Sequence, residues 1–458
     1  MKGRSRVPVL LVGLAFAPGP AWPQTALPPE QAAAVEEAEA AVSEMPKVLD
    51  QIVVTARQRE EDLQEVPMAV TALNSTQVEE ARIESPEDFV ALVPNLSMAS
   101  SFTVGNSLLT MRGISQINNS DPPVAVVVDG VYQGNQKQFV QELFDIERIE
   151  VMRGPQGALY GRNSLGGAIN IITRQPGNDF RGSVRASAGN GSALGLMASV
   201  SGALVKDVLQ MSLAGSYKES DGLRENVYLH RKADPYEDAA ARLQLRWLPV
   251  ERSWLDLRIA TATTEGGAVA YSIFPTVRLA NDFRYDPDES ILGFSRRDMD
   301  DLSLRFVREG GSWVFTSITG ATELAESYRG DGDFSNPARE DLVFPFGQLG
   351  QGQHLDVRLL SQELRLTSAG GGDFEWLAGA YVQETDRRLD SFAFFDTNGT
   401  VAGFVPFITV SEGNDNTANA LFGRLGGRLG GRWGGAVGLR FDRDRRRQKD
   451  LGSGRERD

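Results

Sequence analysis

Residues able to do bond-making chemistry are scarce in this chain. Cysteine is absent from all 458 positions, which removes thiolate catalysis, thiolate metal sites and disulfides. Histidine occurs only at His230 and His354, too far apart in sequence for ligand spacing. Solvated loop positions suit both better. Two Arg-Gly pairs stand out, Arg112-Gly113 and Arg153-Gly154, the second opening a glycine-dense run to Thr173 that holds Gly157, Gly161, Gly166 and Gly167. Successive backbone N–H groups in such a run can cradle an anion. The Gly-Lys-Ser/Thr ending of a phosphate loop is missing, however, and tight turns account for the glycines better. No nucleophile has a base in supporting context, so an enzyme is not expected. A net charge of −14 leaves too little clustered Lys and Arg for counterion release, which excludes nucleic acid as a partner.

The elements that must position these residues fall into successive zones. Residues 1–21 read as a secretory signal peptide: Lys2, Arg4 and Arg6, an apolar run from Val7 to Ala17, and a small-residue exit near Ala21. The run is too short for a membrane anchor. Residues 22–48, rich in Ala, Pro and Glu, read as a flexible spacer. Asp50 to Ala56 is a β-branched segment able to add to a sheet edge through main-chain hydrogen bonds, or to serve as an ordinary structural strand. Residues 57–175 have a mixed α and β pattern. Strands are predicted at Met68–Leu73, Val124–Val128, Ile146–Met152 and Ala168–Thr173, and Asp129-Gly130 suits a hairpin turn. Ser85-Pro86-Glu87-Asp88 supplies an N-cap, an N1 proline and first-turn acids for a short helix ending before Pro94.

From residue 178 onward the rhythm changes to strict alternation. Leu209, Met211, Leu213, Gly215 and Tyr217 interleave with Gln210, Ser212, Ala214, Ser216 and Lys218. Leu255, Leu257 and Ile259 flank Asp256 and Arg258, and Val437, Leu439 and Phe441 flank Gly438 and Arg440. One face is apolar and the other charged. Alternation alone fits a soluble β-sandwich as well as a transmembrane barrel. Connection lengths favour the barrel: short turns near 206, 251, 310, 371 and 430 alternate with stretches of roughly 20 to 35 residues near 220–238, 265–299, 326–354 and 386–415. About eleven strands are predicted between Arg181 and Asp444, half of the 22 in a plugged transporter barrel.

The pairing of the two Arg-Gly elements with Val124–Val128, Asp129-Gly130 and the run from Arg153 to Thr173 resembles the plug domain of TonB-dependent outer-membrane receptors. The resemblance implies an α+β plug followed by an antiparallel transmembrane β-barrel, here about 11 of 22 strands. Because the chain closes on Arg445–Arg447 and Arg455–Asp458, it looks like the first half of a receptor. The resemblance further implies that Asp50, Gln51, Ile52, Val53, Val54, Thr55 and Ala56 form the TonB box. It makes TonB, with ExbB and ExbD, the energy-supplying partner, outer-membrane lipid the surroundings, and the barrel assembly machinery the route of insertion. The spacer is too short for an added signalling domain, so transport without that branch is implied. Arg112 and Arg153 are expected to pair with barrel glutamates, Glu363 being a candidate. Ser100, Asn106, Gln116, Asn118 and Asn119, with the 133–138 segment, are expected to meet a small polar ligand: a metal chelate such as a ferric siderophore, or cobalamin. No protein-bound cofactor is implied. Two rival readings are a fragment that at most binds ligand and a secreted β-sandwich.

Overall fold

The computed structural model describes residues 53–55, 61–62, 68–101, 103–268, 271, 286–338, 349–369, 374–395, 405–429 and 433–457. The expected signal peptide, the spacer, and Asp50, Gln51, Ile52 and Ala56 lie outside the described residues.

Among the described residues the N-terminal part carries ten strands: β1 (Val53–Val54), β2 (Glu61–Asp62), β3 (Val70–Asn74), β4 (Leu96–Ser100), β5 (Ser107–Met111), β6 (Ile114–Ser115), β7 (Val124–Val128), β8 (Val131–Gln133), β9 (Ile146–Arg153) and β10 (Gly167–Thr173). Its central sheet has the order β3-β9-β10-β7-β8, with only β10 and β7 parallel. The five residues of β7 are all buried, as an unbroken run of four valines and an alanine requires. Asp129 and Gly130 both take positive φ, 50° and 87°, and turn β7 back into β8, the turn chemistry of a two-residue hairpin. Gly167 cannot be anything larger, because a Cβ there would collide with the Met152 carbonyl across the β9–β10 pair.

Among the described residues there are three short α-helices, α1 (Ser75–Glu80), α2 (Pro86–Val90) and α3 (Gly157–Tyr160). Ser85 caps α2 with Asp88, Oγ to Oδ2 being 2.9 Å. The Asn74/Gln77 capping box of α1 and the β4–β5 pair were not anticipated from the sequence. Phe89, Met111, Ile149, Val151 and Ile169 fill the core beneath.

The remainder is one antiparallel sheet in sequence order: β11 (Arg181–Gly189), β12 (Ala193–Val205), β13 (Leu209–Ser220), β16 (Tyr236–Val250), β17 (Ser253–Gly266), β18 (Phe294–Glu309), β19 (Trp313–Asp331), β20 (Leu349–Ser368), β21 (Phe374–Phe395), β22 (Val405–Leu429), β23 (Trp433–Asp450) and the two-residue β24 (Glu456–Arg457). A small hairpin, β14 (Glu225–Asn226) with β15 (Arg231–Lys232), sits in the loop before β16. The sheet therefore has eleven long strands, as the alternation implied. The long loops are shorter than expected, because β20, β21 and β22 run 20, 22 and 25 residues, well past the ~9–11 that cross a bilayer. Apolar alternation marks only the part of each strand that needs it.

Exposure along these strands is inverted relative to a soluble sheet. Leu213, Ile259, Leu302, Leu421 and Leu439 face outward, while Gln210, Arg242, Gln244, Arg258 and Asp301 are buried. That inversion, in a single sheet around the plug, rules out the sandwich. No helix among the described residues is long and apolar enough to cross a membrane.

Candidate functional site

The plug meets the sheet through polar groups that strand alternation turns inward. Gln136–Gln138 forms a 3-10 turn capped by Asn135, whose Oδ1 accepts from the Lys137 N–H at 3.0 Å. All three side chains of the turn are buried. Lys137 forms an ion pair with Glu326 of β19, both side chains 1% exposed. Burial draws the Lys137 ammonium below its usual range, with Glu326 opposing the shift. Glu326 also accepts from Thr103 Oγ1 at 2.9 Å and from Gln353 Nε2 at 3.4 Å. Gln136 Nε2 donates to Asn106 Oδ1 at 2.8 Å and to Asn118 Oδ1 at 3.1 Å, while Gln116 Nε2 donates to Gln136 Oε1 at 3.0 Å. Asn119 Nδ2 reaches Gln353 Oε1 of β20 at 2.8 Å. Three of the five residues expected to bind ligand, Asn106, Gln116 and Asn118, are thus tied together through Gln136, and Asn119 is bonded separately to the sheet.

Beside this network lies a cavity of about 590 Å³ between plug and sheet. From the plug it is lined by Ser100, Ser101, Thr103 to Asn106 and Glu142, and from the sheet by Tyr236, Asp238, Thr264 and Arg297. The sheet residues lie at the start of β16, the end of β17 and the start of β18, which places the cavity at the long-loop end. Arg297 donates to the Lys137 carbonyl at 2.8 Å, to Thr264 Oγ1 at 2.9 Å and to the Gly105 carbonyl. Tyr236 Oη donates to Glu142 Oε1 at 3.1 Å, and Lys218 Nζ meets Glu142 Oε2 at 2.6 Å. Burial pushes the Glu142 carboxyl above its usual range, against the pull of Lys218. Of the expected ligand residues, Ser100 and Asn106 line the cavity directly.

The Arg-Gly elements sit elsewhere. Arg112 takes a positive φ of 50° and lays Nη1 beside Gly154. Arg153 buries an Nε that has no hydrogen-bond partner among the described residues. Glu363 pairs instead with Arg365 of its own strand, at 3.4 Å, so the structure does not bring the expected trio together. Inward residues two apart on one strand are neighbours, and that local pairing occupies Glu363 first. Plug-to-sheet ion pairs come from pairings the sequence did not suggest: Lys137 with Glu326, Asp129 with Arg258 at 3.3 Å, and Glu142 with Lys218. Their only sequence trace is a charge on the inward row of a strand.

The described part of the expected TonB box, Val53 to Thr55, is folded onto the plug. β1 pairs with β2, and Val54 is fully buried beside Ala125, Met152 and Ala168. Thr55 donates from its N–H at 2.7 Å and from Oγ1 at 3.0 Å to Glu150 Oε1. Glu150, itself fully buried, also accepts from Arg148 Nε at 2.9 Å and Asn170 Nδ2 at 3.3 Å.

Known proteins match this arrangement. The family model of the TonB-dependent receptor plug domain matches residues 62–168. Residues 62–168 are a TonB-dependent receptor plug domain, and the chain is similar to TonB-dependent receptors of the outer membrane over most of its length. The pesticin receptor of Yersinia pestis is 25% identical over 354 residues, covering 74% of this chain and 49% of that receptor. The vitamin B12 transporter BtuB of Vibrio vulnificus (strain CMCP6) is 31% identical over 178 residues, 38% of this chain and 28% of the transporter. The crystal structure of the ferric yersiniabactin uptake receptor FyuA from Yersinia pestis superposes with a TM-score of 0.73 at 22% identity, over 85% of this chain and 59% of that one. The chain spans about half the length of the pesticin receptors it matches. In TonB-dependent receptor terms, the N-terminal unit is the plug and the inverted sheet is barrel wall.

Proposed function

We propose that this chain acts in uptake across the outer membrane: it captures a small chelated nutrient, a ferric siderophore being the first candidate, and is driven by TonB with ExbB and ExbD. The observation that carries this reading is the cavity between plug and barrel at the long-loop end, joined through Arg297, Gly105 and Lys137 to the plug interior. Ser100 and Asn106 would meet the ligand. Gln116 and Asn118 would hold that surface in shape through Gln136, and Asn119 through Gln353. Arg112 and Arg153 would stiffen the turn at Gly154 and keep the plug seated, with Glu363 serving the lumen wall.

Residues 50–56 would be the coupling segment. An outer membrane has no nucleotide energy source, so transport needs a mechanical link to TonB, and a β-branched strand supplies one by edge addition. Ligand shifts that segment toward release only if it binds the released state more tightly. Deleting residues 50–56 is expected to abolish uptake and leave ligand binding intact, measured as cell-associated radiolabelled chelate at 0 °C against accumulation at 37 °C. Accumulation at the undeleted rate would contradict the coupling role.

A further inference from the structure

Several donors on the cavity wall are committed, while a buried carboxylate oxygen stays open. Arg297 gives its guanidinium protons to the Gly105 and Lys137 carbonyls and to Thr264 Oγ1. Thr264 in turn donates to Asp238 Oδ2 at 2.7 Å, and Tyr236 Oη donates to Glu142. Gln141 Nε2 is committed to the Gln138 carbonyl at 3.1 Å. Asp238 is only 3% exposed, yet its Oδ1 has no hydrogen-bond partner among the described residues. The Ser101 hydroxyl, also on the wall, is likewise without one. A buried carboxylate oxygen left open costs its full desolvation penalty unless something supplies a donor.

Charge points the same way. The lining holds the carboxylates of Glu87, Glu142, Asp234 and Asp238 against the guanidiniums of Arg224 and Arg297. Glu142 is balanced by Lys218 behind it, and Arg297 is turned into the plug carbonyls. A bare anion entering here would meet more carboxylates than guanidiniums, with the Arg297 donors already committed.

We propose that the ligand presents a cationic, donor-bearing head group, a primary ammonium or guanidinium, that docks on Asp238 Oδ1 with the Ser101 hydroxyl beside it. The assignment rests on the uptake-receptor reading and narrows its substrate class. Thr264 and Arg297 are then positioning residues: Thr264 holds Asp238 by Oδ2 and Arg297 holds Thr264, which leaves Oδ1 for the head group. A cavity of this size accepts a small chelate together with its side arm.

The test uses two matched probes, a linear ferric trishydroxamate with a free terminal amine and the same chelate N-acetylated, titrated against the purified full chain by quenching of tryptophan fluorescence. The amine form is expected to bind about tenfold more tightly, the scale of one charge-assisted hydrogen bond. Asp238→Asn is expected to erase that preference, bringing the two probes to one affinity, while its circular-dichroism spectrum and thermal melt match those of the unaltered chain. Equal binding of both probes by the unaltered chain, or a preference that survives Asp238→Asn, overturns the head-group assignment and leaves the receptor reading standing. Binding of neither overturns the ligand-site reading and the assignment with it.

Discussion

Single residues set how the plug is held and how residues 53–55 are stored against it. Glu150 gathers Thr55, Arg148 and Asn170 around one buried carboxylate, so removing its charge weakens three contacts together. The chain has no cysteine, and one introduced at Val53 can carry a single nitroxide. Its spectrum is expected to be immobilised on the unaltered background and to gain a mobile component with Glu150→Gln. Unchanged line shapes would show that Glu150 does not retain the segment. Lys137 and Glu326 form the deepest plug-to-barrel ion pair. Lys137→Met leaves Glu326 buried without its counter-charge, a loss of about 3–5 kcal/mol. Replacing both, Lys137→Met with Glu326→Leu, is expected to recover most of that stability in thermal melts. A single variant that melts like the unaltered chain would contradict this. At this scale the sequence was partly readable. Glycines 154 and 167 declared tight backbone on their own, whereas Lys137 and Glu326 lie 189 residues apart, and neither shows its role without the other.

At the scale of elements, alternation exposed most strands, because a strand with unlike faces writes its geometry into every second residue. Val124–Val128 and α2 were equally legible, one from continuous burial and the other from its caps. The strand ends and the loop packing were not, since both depend on partners far away. The loop between β17 and β18 shows why. Glu289, almost fully buried, accepts the Tyr271 N–H at 2.6 Å. Burial raises its carboxyl to about 8, with Asp331 adding to the shift and Arg224 and the Tyr271 N–H opposing it. A raised value means that the neutral acid is the form packed in the folded loop. Its contribution is fully present below the unfolded value of 4.5 and is lost as pH rises through about 8. Hydrogen exchange of peptides spanning 286–293 is therefore expected to accelerate through that window beyond the intrinsic rate, and Glu289→Gln is expected to flatten the change. Identical pH profiles for both chains would contradict it.

At the scale of the whole molecule, the fold is a globular core set against a wall turned inside out. The wall buries Arg242, Arg258 and Asp301 against the plug and leaves leucines outside, an arrangement water would penalise and acyl chains favour. Everything proposed for the cavity and the coupling segment depends on that orientation. It can be measured by placing a nitroxide at each of residues 255–261 of β17 in turn, in lipid bilayers. Accessibility is then compared between molecular oxygen, which partitions into lipid, and a water-soluble nickel chelate. Oxygen access is expected to peak at Leu255, Leu257, Ile259 and Thr261 and to fall at Asp256, Arg258 and Ala260. Alternation of the opposite phase, or nickel access equal at every position, would contradict the account.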